Sequence, residues 1–170
     1  LSRNAVTVGA DTRKRFSDRT YEAALNVGFT HIDGETEEIA GYQTRNSHLF
    51  QRVDQPTIRF DPTRRSLNGT QVNGSIGKIA GRHWLWRTNL MIESPEFEPS
   101  DFGRLNFAGD YSGGARLTYR ETVPGALFRA YSFTVNLQHY SYFDRDLGMR
   151  YGLSSSNSFT FLNFWRTSLN

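Results

Sequence analysis

The segment Thr70–Phe107 reads TQVNGSIGKIAGRHWLWRTNLMIESPEFEPSDFGRLNF. It parses as one strand, a tight turn near Ala80-Gly81-Arg82, a second strand, and a long polar loop. In the second strand Trp84, Trp86, Leu90 and Ile92 fall on one face, and Arg87, Asn89 and Glu93 on the other. A period of two with one oily and one charged side predicts a strand with apolar surroundings on one side and water or a polar network on the other.

The same pattern recurs outward from this segment. A first strand is predicted over Asn4–Arg15, with Val6, Val8 and Ala10 opposed to Thr7, Asp11, Arg13 and Arg15. Phe16–Arg19 makes a short turn. The strand Thr20–Ile32 follows, with Tyr21, Ala23, Leu25, Val27 and Phe29 opposed to Glu22, Asn26 and Thr30. No helix would put those five on one side. Later strands are expected over Asp110–Arg120, Leu127–Tyr140 and Leu147–Ser154. A turn at Ser155-Ser156-Asn157 then leads into Phe159, Phe161 and Trp165. The strand from Ser66 through Val72 and Ile76 is less regular. Its Asn68-Gly69 and Asn73-Gly74 read either as hairpin turns or as a bulge or bend.

Residues 33–66 interrupt the alternation. An acidic stretch, Asp33–Glu38, opens them, and Tyr42–Gln51 alternates poorly. Treating 33–66 as one long excursion, with room for a hairpin outside the wall, makes the connections alternate short and long. Eight up-and-down strands result. The fold class predicted is therefore an all-β, antiparallel, up-and-down transmembrane β-barrel, of which these eight strands are the whole or a part. Strands of this length, tilted by about 40°, cover an apolar band of about 25 Å. Short turns would face the periplasm and the excursion the outside. Tyr21, Trp84, Trp86 and Tyr119 fall near short-turn ends, where interfacial aromatics belong. Arg13, Arg15, Glu22, Arg87, Glu93, Asp110, Arg116 and Arg150 would point inward, lining a pore or filling the interior with a paired network.

Composition agrees with an envelope protein and narrows the chemistry. The 170 residues contain no cysteine, so neither disulfides nor a thiolate metal site are expected. Aromatics number 24 of 170, a bias that suits strands and interfaces. No apolar run approaches the roughly 20 residues of a membrane-spanning helix. The net charge is +3, carried by 18 Arg and only two lysines, Lys14 and Lys78. The arginines are dispersed at alternating strand positions rather than clustered, which argues against nucleic acid. The chain begins at Leu1 and its last residues read as strand, so a processed chain or a C-terminal piece of a larger barrel is expected.

Several blocks resemble a known family. They are Phe50-Gln51-Arg52-Val53-Asp54; Phe60-Asp61-Pro62-Thr63-Arg64; Gly77-Lys78 followed by Gly81-Arg82-His83-Trp84; and Ser94-Pro95-Glu96-Phe97-Glu98 with Asp101-Phe102-Gly103. In this order, across residues 20–170, they are similar to a bacterial domain-of-unknown-function family. Its members carry a family-9-like carbohydrate-binding domain followed by an outer-membrane β-barrel. The resemblance implies a C-terminal barrel part, without the carbohydrate-binding domain and without catalytic residues to carry over. Some relatives are labelled hydrolases, which nothing in these residues supports.

Direct chemical signals are few. His31, His48, His83 and His139 lack ligand-type spacing, so no metal or other cofactor is expected. The acidic stretch lacks the ligand order of a calcium loop and reads as a solvated loop. Ser154-Ser155-Ser156 has no adjacent His or Asp pattern. The expected function is an outer-membrane pore or anchor of unassigned substrate, not an enzyme, in contact with lipid and open to small polar solutes or glycans. A soluble β-barrel or sandwich binding ligands through Phe97, Phe102 and Tyr142 is the first alternative. A barrel-embedded hydrolase is the second.

Overall fold

The computed structural model describes residues 4–48, 50–51, 58–99, 108–142 and 150–170. Eight antiparallel strands form one sheet in strict chain order: β1 (Asn4–Phe16), β2 (Tyr21–Asp33), β3 (Ser66–Lys78), β4 (Trp84–Glu93), β5 (Asp110–Glu121), β6 (Phe128–Tyr142), β7 (Arg150–Phe161) and β8 (Arg166–Leu169). The sheet does not close on itself. Among the described residues β1 pairs only with β2, and the four-residue β8 only with β7, so neither outer edge has a partner strand there. A self-contained eight-stranded barrel is thereby corrected to an open, up-and-down antiparallel wall.

Three local expectations are also corrected. Asn68-Gly69 and Asn73-Gly74 are not turns; both lie inside β3, which pairs with β2 without interruption. Ser155–Asn157 does not turn either, because the chain stays extended to Phe161 and reverses over Leu162–Trp165. Residues 33–66 hold no hairpin among those described. After Asp33 completes β2, helix α1 (Thr36–Gln43) forms instead. Glu37 and Glu38 occupy its first turn, where carboxylates meet the positive end of the helix dipole. That placement gives Glu37 and Glu38 of the acidic stretch a role at the helix start.

The short turns use unusual backbone. Ser17, Asp18 and Arg19 all take positive φ, at 49°, 51° and 61°, and Gly81 sits at φ 136° between β3 and β4. Such tight reversals join neighbouring strands at one end of the sheet. The connections after β2 and β4 lie at the other end.

Register fixes which side chains share a face, because directly opposed residues point the same way. Across β2 to β6, Ala23, Ile76, Thr88, Ala115 and Leu137 form one outer row, and Leu25, Gly74, Leu90, Gly113 and His139 the next. Among the described residues nothing covers this face. In the middle of the sheet Leu90 is 49%, Leu117 48% and Leu137 54% exposed. The buried apolar cluster lies elsewhere: Ile32, Ile39, Phe50 and Leu67 pack together with Ala5, Tyr42 and Ile58. Ile32 and Leu67 oppose each other on the face that also bears Glu22 and Thr30. The core is therefore a cap over the long-loop end of the polar face.

Candidate functional site

The polar face is organised by one register row: Arg15, Glu22, Gly77, Arg87, Arg116, Asn136 and Ser154, running from β1 to β7. Arg15 Nε donates to Glu22 Oε2 at 2.9 Å, and Arg87 Nη2 donates to Glu22 Oε1 at 2.9 Å. Arg87 lies two strands from Glu22. It reaches across Gly77, where an added Cβ would press on the Arg87 backbone. The glycine opens the path for the guanidinium. Arg116, directly opposite Arg87, donates through Nε to Asn136 Oδ1 at 2.7 Å. Like charges side by side repel, and each is here turned toward its own acceptor on the outer flank.

Toward the long-loop end the charge changes sign. Glu93 and Asp110 oppose each other, and Gln71 Nε2 donates to Glu93 Oε1 at 2.8 Å. Between these zones lies a shallow cavity of about 380 Å³, lined by Asp11, Arg13, Asn26, Asn73 and Ser75 among others. It offers a carboxylate, a guanidinium, two amides and a hydroxyl on one surface. Of the predicted inward residues, Arg13, Arg15, Glu22, Arg87, Glu93, Asp110 and Arg116 share this face by register. Arg150 joins them at the far side, opposite Tyr140 on β6.

The cap covers part of the same face. Segment 94–99 leaves β4 and folds back over β2 and β3, where the Phe97 backbone crosses Gly69 so closely that no Cβ fits between them. The Phe97 ring lies over Gly28, and its residue is 4% exposed. Phe97 is therefore a packing residue and not an exposed ligand platform, which corrects its role in the soluble-module alternative. Tyr142 is half-buried at the end of β6, and Phe102 lies outside the described residues, as do Asp101, Gly103, Leu147 and Met149.

Polar clamps hold the cap down. His48 Nδ1 lies 2.8 Å from the Pro95 carbonyl, and its Nε2 lies 2.8 Å from Glu98 Oε2. The Glu98 amide donates to Thr30 Oγ1 at 3.0 Å. Gln43, fully buried on α1, donates to the Asp61 carbonyl and accepts from the Asp61 amide, both at 2.9 Å. The Thr63 hydroxyl and amide bind the Asp61 carboxylate and hold it below the usual aspartate range. Sequence reasoning did not find the clamps made by Gln43, His48 and Glu98, since each joins residues 18 or more positions apart.

The aromatic prediction is resolved into a belt at the short-turn end. Phe16 stacks on Tyr21 at 5.6 Å, and Tyr21 meets Trp86 at 6.4 Å. Trp84 packs edge-on to Tyr119 at 5.0 Å, and Tyr119 meets Tyr131 at 6.2 Å. The belt continues through Phe128, Phe133, Phe159 and Phe161. His83 also stacks on Tyr119. Eight residues up β5 from Tyr119, Tyr111 and His139 pair at 5.5 Å, and His139 meets Tyr151 at 4.7 Å. The two aromatic levels stand about 26 Å apart along the strand.

Among the described residues no three His, Asp or Glu side chains gather as a metal-ligand set. Ser154 lies inside β7 with Asn136 Nδ2 3.5 Å from its hydroxyl, and no base adjoins it in register.

An eight-stranded, open, antiparallel all-β wall with one charged and one uncovered apolar face defines the class of this chain. The chain belongs to the family described as Domain of unknown function (DUF5916), which matches residues 5–170. No curated protein and no solved structure matches it.

Proposed function

We propose that this chain is a wall segment of an outer-membrane β-barrel in the bacterial cell envelope, with its apolar face on lipid and its charged face toward an aqueous interior. The uncovered apolar face of the central strands carries this reading. Eight strands about 4.8 Å apart and about 25 Å of apolar height amount to roughly 900 Å². The largest apolar patch on a typical soluble monomer is about 300–600 Å². The aromatic belt at the short-turn end, with a second aromatic level above it, matches the girdles of such barrels. The resemblance noted in the sequence implies the same architecture.

On this reading further strands complete the barrel wall along the open edges, which are free to pair. Within it, the Asp11–Arg13–Asn26–Asn73–Ser75 surface suits small polar solutes or glycans, whose hydroxyls both donate and accept hydrogen bonds. The Arg-rich row below it favours passage of anions, and the membrane wall also serves as an anchor. The test is refolding of the protein into detergent micelles, followed by gel mobility with and without boiling, then bilayer conductance. A faster-migrating unboiled band supports the barrel. A folded β spectrum and a monodisperse species in plain buffer would overturn it. With a pore present, Arg87→Glu or Arg116→Glu lowers anion preference; unchanged selectivity would remove the row from the conduction path.

A further inference from the structure

The chain uses its two kinds of cation on different faces. The arginines at positions 13, 15, 87 and 116 lie on the polar face, whereas both lysines, Lys14 and Lys78, lie on the apolar face by register. Lys14 opposes Ala23, and Lys78 stands between Tyr21 and Trp86. The two therefore flank Tyr21, about 12 Å apart from Cα to Cα, given strand spacing and one same-face step. Tyr21 lies between them, its ring stacked on that of Phe16, two residues along β1 from Lys14, and Trp86 stands beyond Lys78. Among the described residues, neither ammonium is held by a hydrogen bond or ion pair. Lys78 bends back toward the turn, its Nζ 3.2 Å from where a Cβ on Gly81 would stand. That is away from the apolar band and toward the short-turn boundary. The adjoining turn adds Asp18 and Arg19, whose charges offset each other.

A lysine on a lipid-facing surface extends its ammonium to the headgroup level while its stem stays in apolar contact. Two such ammoniums beside an aromatic platform make a place for an anion that itself has an apolar tail. We infer that Lys14 and Lys78, with Phe16, Tyr21 and Trp86, form a binding site for the phosphate headgroup of an anionic phospholipid in the leaflet at the short-turn end. The acyl chains would lie along Ala23 and Ile76, on the outer face directly above. This site rests on the membrane reading.

The test uses the protein reconstituted in phosphatidylcholine vesicles, with either brominated phosphatidylglycerol or brominated phosphatidylcholine as the minor lipid. Quenching of tryptophan fluorescence reports relative binding, since Trp86 adjoins the site. A preference for the anionic lipid of about fivefold is expected from one well-placed lysine-scale interaction. It should vanish in Lys14→Gln/Lys78→Gln and persist in Arg59→Gln/Arg65→Gln, which removes equal charge from the exposed cap. Equal quenching by both lipids in the wild type overturns the site and leaves the membrane reading intact. Equal loss in both double variants overturns it as well, reducing the preference to net charge. Quenching by neither lipid overturns the membrane reading and the site with it.

Discussion

At the level of single residues, glycines decide where the chain passes over itself. Gly69 lies beneath the Phe97 backbone, so a methyl group there meets main chain that has no rotamer to change. Gly69→Ala is expected to cost about 1–3 kcal/mol and to loosen segment 94–99. Gly41 is the contrasting case. It lies in α1 with nothing within 4 Å of an added Cβ, so Gly41→Ala should stabilise by about 1 kcal/mol through helix propensity alone. Denaturant titration of both variants checks the pair. Equal shifts of the same sign would contradict the close crossing at Gly69. Glu22 is a second decisive position, since it accepts from Arg15 and from Arg87. Glu22→Gln removes the charge that balances two guanidiniums and should raise anion preference in a conductance measurement. Arg15→Gln, on a half-exposed side chain, should change it less.

At the level of elements, the cap is the part most sensitive to its polar clamps. Gln43→Ala breaks both bonds to Asp61, leaving its amide without that acceptor and its carbonyl with the Arg64 amide alone. Protease cleavage within residues 33–66 should accelerate while the strands stay intact, and an unchanged cleavage rate would count against the clamp. The Asp61–Thr63 turn adds a pH dependence. Its carboxyl is held lower in the folded state than in the unfolded one, so its contribution is complete above the unfolded value. It is lost as pH falls through the folded value, below about pH 4. Limited proteolysis at falling pH should therefore open the cap only in that acid range.

The strands were legible in the sequence because side chains change character at every second position, a pattern that Ala24 breaks once in 21–29 and that Leu85, Thr88 and Met91 break in 84–92. The inward and outward sets follow from the same alternation once one face is known to be apolar. Helix α1 was not legible as a helix. It has eight residues and Gly41 in its middle, and only Ile39 and Gln43 are buried. The acidic residues before Ile39 were the available signal, as a helix start. The β7 turn was misplaced because Ser155-Ser156-Asn157 has turn composition, yet those residues lie where the sheet neighbours of β6 hold them extended. The His48–Glu98 contact spans 50 residues and leaves no trace in local pattern.

At the scale of the whole molecule, the wall has two chemically different sides and, among the described residues, two unpaired edges. The chain contains no cysteine, which makes single-cysteine labelling direct. Lipid contact along the apolar face is tested most directly by nitroxide labels at three adjacent pairs, 89/90, 116/117 and 136/137, in the protein reconstituted in vesicles. The label on Leu90→Cys, Leu117→Cys and Leu137→Cys should be accessible to dissolved oxygen and shielded from a water-soluble nickel chelate. Asn89→Cys, Arg116→Cys and Asn136→Cys should show the reverse. High nickel accessibility at all six positions, or shielding of the leucine positions from both reagents, would contradict a lipid-facing wall.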